Sequence, residues 1–267
     1  MPAGQGDGGG LLPNEASTGA SRAKCTPSLS ACENWTLYEY ETVTSTNLVA
    51  ARLPAWSAVR ADLQTAGRGR FQRSWVSDRG GLWLSAVLPS GATPGWRALP
   101  LVVGLAVCRA LQGLGVNRLR MRWPNDVLVA DRKLAGLLLD QFFPGSVVAG
   151  IGINVRNNPA AADPALAGRV VTLAELIPQP PNLRALTRAV LTELRRVVEP
   201  MQDSGLSLLL PEINRLWGES REVELDLDGP LRRGRFAGVD EQGRLLLGTG
   251  PGAEAFFPHE VRHLTEL

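Results

Sequence analysis

Two kinds of apolar patterning meet in this chain, and their junction limits the folds it can adopt. From about Asn34 to Trp217, runs of strand length alternate with runs of helical period, as in an α/β-type domain. "WTLYEYE" (35 to 41) mixes aromatic and polar residues and predicts a strand, and "TSTNLVAARL" (44 to 53) opens on capping residues and predicts a helix. "AVRADL" (58 to 63), "GLWLSAVL" (81 to 88) and "SVVAGIGINV" (146 to 155) predict further strands, the last two apolar enough to be buried. Two long helices are predicted over 96 to 115 and 181 to 201, the second with an arginine-rich outer face that reads as a solvated surface. After Trp217 the segments are short and alternating, parted by Asp-Gly, Gln-Gly and Pro-Gly turns, which predicts a small β-barrel of about five strands. Met1 to Glu33, rich in Gly, Ala, Ser and Pro and without an apolar period, reads as a flexible tail. The expected units are therefore residues 1–33, 34–217 and 218–267.

Composition narrows the function classes. With 44% hydrophobic and 20% charged residues, the 267-residue chain can bury a full core. Its 28 basic and 26 acidic residues argue against a general polyanion binder, so any phosphate chemistry is local. Cys25, Cys32 and Cys108 lack zinc-ligand spacing. Cys25 and Cys32 are near enough to pair, but scattered reduced thiols suit the cytoplasmic location expected here. No run of eighteen apolar residues spans a membrane, and the N-terminus lacks the basic start and apolar middle of a secretion signal.

Two stretches carry chemistry. "QTAGRGRFQRSW" (64 to 75) sets Arg68, Arg70 and Arg73 on a glycine-rich loop between two predicted strands. Gly67 and Gly69 let backbone amides approach a ligand, and the guanidinium forks suit phosphate or carboxylate oxygens. The loop lacks Walker spacing, and taken alone it reads equally well as a basic nucleic-acid loop. "MRWPNDVLVADRKLAGLLLD" (121 to 140) places Pro-Asn-Asp in a turn between strand-like runs, with Asp126 and Lys133 flanking the hairpin-like segment. Lys133 adjoins an apolar strand, where an ammonium group calls for an anionic partner.

These motifs together resemble the biotin protein ligases, specifically the short form without an N-terminal DNA-binding domain. The resemblance rests on Gln64, Gly67, Arg68, Gly69, Arg70, Arg73 and Trp75 in the first stretch, and on Ser45, Thr46 and Asn47 in "TVTSTNLVA". It continues through "WPND" (123 to 126), "KLAG" (133 to 136) and "GIGIN" (150 to 154), in family order and ahead of the short β segment. The chain departs from the family pattern at Phe71 and Gln72, where Arg-Gly is common, and at Arg122, where Lys is common.

The resemblance implies an α+β fold, with a mixed-sheet catalytic domain of the biotin/lipoate ligase type followed by a small SH3-like β-barrel. It implies ATP-dependent biotinylation of a lysine on a biotin carboxyl carrier protein through biotinyl-5′-adenylate, with Mg²⁺ accompanying ATP. Lys133, Asp126 and Arg68 are the implied catalytic residues. Ser45, Thr46, Asn47, Gln64, Gly67, Arg68, Gly69, Arg70, Lys133, Gly136 and Gly150 are the implied biotin contacts. Arg68, Arg70, Arg73, Trp75, Asn125, Lys133 and Asn154 are implied on the ATP and adenylate side, and no metal ligands are assigned. Specific DNA binding and membrane association are not expected, and exposed strand edges are compatible with a homodimer. A lipoate ligase or octanoyl transferase of the same fold is the nearest rival.

Overall fold

The computed structural model describes residues 28–89, 96–250 and 252–267. Its larger sheet has eight strands, in chain order β1 (Ser28–Cys32), β2 (Trp35–Val43), β3 (Ser57–Gln64), β4 (Leu82–Pro89), β5 (Leu119–Arg122), β6 (Asp126–Val129), β7 (Arg132–Phe143) and β8 (Ser146–Ile153). They lie in the order β1-β2-β3-β4-β8-β7-β6-β5, and only the β2–β3 pair is parallel. The helices are α1 (Thr46–Ala50), α2 (Leu99–Gly113), α3 (Pro159–Ala162), α4 (Leu173–Leu176), α5 (Leu183–Ser204) and α6 (Leu210–Leu216). A mixed α+β architecture replaces strict alternation, because most neighbouring strands are joined as antiparallel pairs rather than through crossover helices.

Strand alternation sorts the sheet's two faces. Leu82, Leu84, Ala86 and Leu88 on β4, with Val147, Ala149, Ile151 and Ile153 on β8, point into the core that α2 and α5 cover. The other face carries Ser85 and Val87 on β4 and Val148, Gly150 and Gly152 on β8, and α1 packs over part of it through Ala50, Val59, Val87 and Val148. Burial on both faces explains why these strands read as nearly continuous apolar runs. In α5, Leu186, Val190, Leu191, Leu194 and Val197 make the buried stripe. The arginines of its outer face are paired with carboxylates: Arg184 with Glu39, Arg188 with Glu33, Arg195 with Glu199 and Arg196 with Glu193.

Two expectations are revised. Residues 1–27 of the predicted tail lie outside the described residues, but Ser28–Cys32 form edge strand β1, paired antiparallel to β2. The Glu33–Asn34 turn, with both residues at positive φ, makes that pairing a tight hairpin that composition alone concealed. Helix α1 is shorter than its pattern implied, a single turn over Thr46–Ala50.

At the C-terminus, β9 (Glu222–Asp226), β10 (Leu231–Val239), β11 (Leu245–Gly248), β12 (Ala253–Phe256) and β13 (His263–Glu266) form an antiparallel sheet, the strand number expected. Its order is β12-β11-β10-β9-β13, an open sheet rather than a closed one. It is joined to the larger sheet by a continuous core and by directed bonds. Trp123 Nε1 donates to Gly243 O (3.2 Å), and Arg120 pairs bidentately with Glu266 (2.5 and 2.8 Å). Asn214 Nδ2 donates to Val239 O (3.1 Å), while Val239 N donates to Asn214 Oδ1 (2.9 Å).

Leu194 is fully buried between α5 and the sheet. Leu194→Ala is expected to lower unfolding stability by about 2–5 kcal/mol in urea titration. A loss below about 0.5 kcal/mol would contradict this placement of the core.

Candidate active site

The polar face of the larger sheet, the arginine loop and the C-terminal sheet enclose one cavity of about 790 Å³. That volume lies within the roughly 300–1,000 Å³ range of small-molecule sites. Of the residues singled out from the sequence, all but Gly67 line it: Gly67 is buried at the base of the loop. Motifs separated by more than a hundred residues, from Ser45 to Asn154, thus converge because strand ends, one helix turn and one loop share a single face of the sheet.

At one end, the start of α1 supplies Ser45, Thr46 and Asn47, all buried. Ser45 occupies the N-cap position with extended backbone, but its side chain makes no capping bond. Gln64, at the end of β3, accepts from Thr46 N (2.8 Å) and Thr46 Oγ1 (3.0 Å), and its Nε2 donates to Ser77 Oγ (2.9 Å). Asn47 Nδ2 donates to Asp140 Oδ2 (2.8 Å). Ser85 Oγ lies 2.7 Å from Thr46 Oγ1 and 2.6 Å from Asn47 Oδ1. The result is a buried, mutually bonded polar array beside an apolar sheet, suited to orienting a largely apolar ligand by a few fixed groups.

The glycines of β8 make room for this array. A Cβ at Gly150 would collide with the Asn47 amide, and one at Gly152 would come within 2.7 Å of Trp75 Nε1. The space beside them is filled by Asn47 and Trp75, whose exposed sides then form the cavity wall.

The middle of the cavity is charged. The turn between β5 and β6 sets Asp126 opposite Arg122 in register, and β7 brings Lys133 alongside. Arg122 Nη2 donates to Asp126 Oδ2 at 2.7 Å. Lys133 Nζ stands 2.6 Å from Asp126 Oδ1, a close ion pair. The ammonium also lies over the Trp75 ring, 4.9 Å from its centroid. Burial alone would raise the Asp126 carboxyl, yet the charges of Lys133 and Arg122 outweigh it and hold the group below its ordinary value. Asp126 is therefore an ionised carboxylate with a cation on each side.

The loop between β3 and β4 covers this centre. Gly69 N donates to Arg73 O (2.7 Å) and Trp75 N to Gly67 O (3.0 Å), which folds 67–75 into a narrow hairpin. Phe71 and Gln72, the two departures from the family pattern, take positive φ at its tip. Arg68 lies 3.6 Å from Asp140, too far for a hydrogen bond, and its Nε and Nη2 are buried without an acceptor. Trp75 Nε1 is likewise buried and unpaired. Arg70, also at the cavity wall, donates through Nη2 to Pro258 O (2.6 Å) and Val261 O (3.1 Å) of the C-terminal turn. Arg73 is exposed on the loop at the cavity.

Two asparagines of the cavity wall also brace the sheet. Asn125 Nδ2 donates to Leu137 O (2.8 Å), tying its turn to β7. Asn154 Nδ2 donates to Lys133 O (3.3 Å), and its Oδ1 accepts from Asn157 (3.1 Å). Sequence reading missed Ser77, Ser85, Asp140 and Arg169. A serine inside the apolar run "GLWLSAVL" was the available signal for Ser85, and the charge closing "LAGLLLD" was the one for Asp140. Arg169 carried none: it joins the site because its carbonyl accepts from Lys133 N (2.8 Å).

The sequence pattern of the Biotin/lipoate A/B protein ligase family matches residues 39–158. The bifunctional ligase/repressor BirA of Salmonella typhimurium is 32% identical over 202 residues, covering 73% of this chain and 62% of that protein. This chain therefore spans about three-fifths of that relative's length. The biotin–[acetyl-CoA-carboxylase] ligase of Paracoccus denitrificans is 32% identical over 253 residues, covering 80% of this chain and 94% of the relative. Among solved structures, biotin protein ligase from Aquifex aeolicus in complex with biotin and ATP superposes with a TM-score of 0.78 at 28% identity, covering 86% of this chain and 99% of that one. A relative accounted for almost end to end, and a shared fold with the family's motifs gathered in one cavity, lead to one assignment: the chain belongs to the biotin protein ligase branch of the biotin/lipoate A/B protein ligase family.

Proposed function

We propose that the chain is an ATP-dependent biotin protein ligase acting on a lysine of a carrier domain. The observation that carries this reading is the convergence of Arg68 and Lys133 on one cavity, with two Arg68 nitrogens left without a hydrogen-bond acceptor. A guanidinium held only by a 3.6 Å ion pair to Asp140, with two donors unmet, suits an anionic ligand. An apolar slot with a small polar array beside that charge fits an acyl carboxylate better than a nucleic-acid backbone. The solved Aquifex relative, described with biotin and ATP, supports the same pairing of substrates.

The chemistry then runs in two steps. A biotin carboxylate oxygen attacks the α-phosphorus of ATP, the bond to the β-phosphate oxygen breaks, and pyrophosphate leaves. Lys133 and Arg68 lower the repulsion between the two anions and stabilise charge gathering on the α-phosphate. Asp126 positions Lys133 from behind. An acceptor lysine nitrogen next attacks the acyl carbon, the acyl–phosphate bond breaks, AMP leaves and the new amide nitrogen gives up its proton. Thr46, Asn47 and Gln64 orient the ureido ring, Trp75 walls the acyl chain, and the loop excludes water from the mixed anhydride.

ATP reaches such sites with Mg²⁺, which neutralises phosphate charge. Among the cavity carboxylates, Asp126 is held by Lys133 and Arg122, Asp131 by Arg120, and Asp163 accepts from Ala165 N. No group of three His, Cys, Asp or Glu side chains among the described residues is placed to hold a metal. The donor set does not form a protein cage for the ion, and no step here is routed through it.

The same reading extends to the finer organisation. It takes the C-terminal strands as a small SH3-like barrel, the catalytic unit as running from β1 to Trp217, and the enzyme as cytoplasmic, with homodimerisation through strand edges and no sequence-specific DNA binding.

Incubation with ATP, Mg²⁺, biotin and a carrier domain is expected to add one biotin to the carrier by intact mass, with lipoate giving no adduct. Adduct formation with lipoate and none with biotin would assign the rival chemistry. Lys133→Ala is expected to slow biotin-dependent pyrophosphate release by about 10²–10³-fold while the protein remains folded by circular dichroism. Release at the parent rate would remove Lys133 from the chemistry.

A further inference from the structure

The polar array at the start of α1 is steered from behind by two residues that do not line the cavity, Ser85 and Asp140. Ser85 is fully buried on β4, opposite Gly150 of β8. Its hydroxyl touches both Thr46 Oγ1 (2.7 Å) and Asn47 Oδ1 (2.6 Å) but carries a single proton. Asp140, on β7, reaches Asn47 from the other side.

Each end of the array is closed by a group that can only accept. The Asp140 carboxylate takes a proton from Asn47 Nδ2 (2.8 Å), which turns the Asn47 carbonyl toward Ser85 and calls the Ser85 proton to Asn47 Oδ1. The Trp75 carbonyl takes the Ser77 proton (2.9 Å), so Ser77 Oγ accepts from Gln64 Nε2 (2.9 Å) and Gln64 Oε1 is turned to Thr46. The Thr46 hydroxyl is then left with one proton and two acceptors, Ser85 Oγ at 2.7 Å and Gln64 Oε1 at 3.0 Å. Since Gln64 Oε1 already accepts from Thr46 N (2.8 Å), the hydroxyl proton goes to Ser85. The array is therefore one proton short where Thr46 and Gln64 line the cavity. Sheltered acceptors with spare lone pairs are met best by a donor on the ligand, and an oxygen in its place would set lone pair against lone pair.

We infer that Ser85, with Asp140, is a positioning residue for specificity: it draws the Thr46 proton inward, so that the array receives a ligand N–H and discriminates against an oxygen at the same place. This deepens the ligase reading and rests on it, because the cyclic urea of biotin supplies such N–H groups. Asn47 Oδ1 lies against Gly150, so Ser85 rather than the ligand is its donor. Without the Ser85 hydroxyl, the Thr46 proton swings to Gln64 Oε1 and the demand for a ligand donor falls.

The test is calorimetric titration of the full chain with biotin and with the two cyclic carbamates in which one or the other ureido N–H is replaced by oxygen. The parent is expected to bind biotin about tenfold to hundredfold more tightly than at least one carbamate. Ser85→Ala is expected to narrow that ratio by about tenfold, weakening biotin while leaving the carbamate within about threefold of its parent affinity. A purely structural loss would weaken both ligands alike. Asp140→Asn, whose side-chain amide donates as well as accepts, lets the Asn47 amide turn over and is expected to narrow the ratio in the same direction. Equal weakening of biotin and carbamate in Ser85→Ala overturns the inference, as does a parent that binds biotin without preferring it to either carbamate. If Ser85→Ala does not fold by circular dichroism, Asp140→Asn decides: an unchanged ratio overturns the inference and a narrowed one supports it. A parent that binds neither biotin nor the carbamates contradicts the ligase reading, and this inference falls with it.

Discussion

The site depends on one ionised carboxylate held between two cations. Asp126 sits where a strand begins, with a side chain 14% exposed, and burial there favours the neutral acid. Lys133 and Arg122 reverse that preference and keep it charged. Because its folded value is depressed, this carboxylate stabilises the fold above the ordinary aspartate range, and that contribution is lost as pH falls through the folded value. The same interaction fixes the ammonium of Lys133 between Asp126 Oδ1 and the Trp75 ring. Replacing the common lysine with Arg122 suits this arrangement, since the guanidinium takes Asp126 Oδ2 and leaves Oδ1 to Lys133.

The sheet makes that centre possible by dividing labour between its faces. Large aliphatic residues at alternate positions of β4 and β8 build a rigid core against α2 and α5. The intervening positions shrink to Ser85, Gly150 and Gly152, which is where Asn47 and Trp75 lodge. A binding slot is thus formed without interrupting strand pairing, since only side-chain volume is removed. Precision at the site comes from strands, and the arginine loop lies over them.

Much of this was legible in the sequence, for identifiable reasons. Strands such as "WTLYEYE" and the long helices carry strong periodicity, and the arginine loop and the Lys133–Asp126 pair combine residue types that a bland surface rarely assembles. The hairpin at Glu33–Asn34 escaped notice because its strand, "SLSAC", has little apolar content and its turn relies on positive φ rather than glycine. The direction of Arg70 was not readable either: its acceptors are backbone carbonyls 188 and 191 residues away, and carbonyls leave no mark in a sequence. Asn125 and Asn154 line the cavity as motif membership suggested, but that their amides also brace β7 could not be read from the motif.

The central claim is that the loop cations and the Lys133–Asp126 pair face a single acyl-nucleotide in one cavity. Calorimetric titration with a non-hydrolysable biotinyl-adenylate analogue tests it most directly. One analogue should bind per chain, and the saturated protein should then take up neither biotin nor ATP. Uptake of either substrate by the saturated protein would place the two halves of the ligand in separate sites and contradict the account.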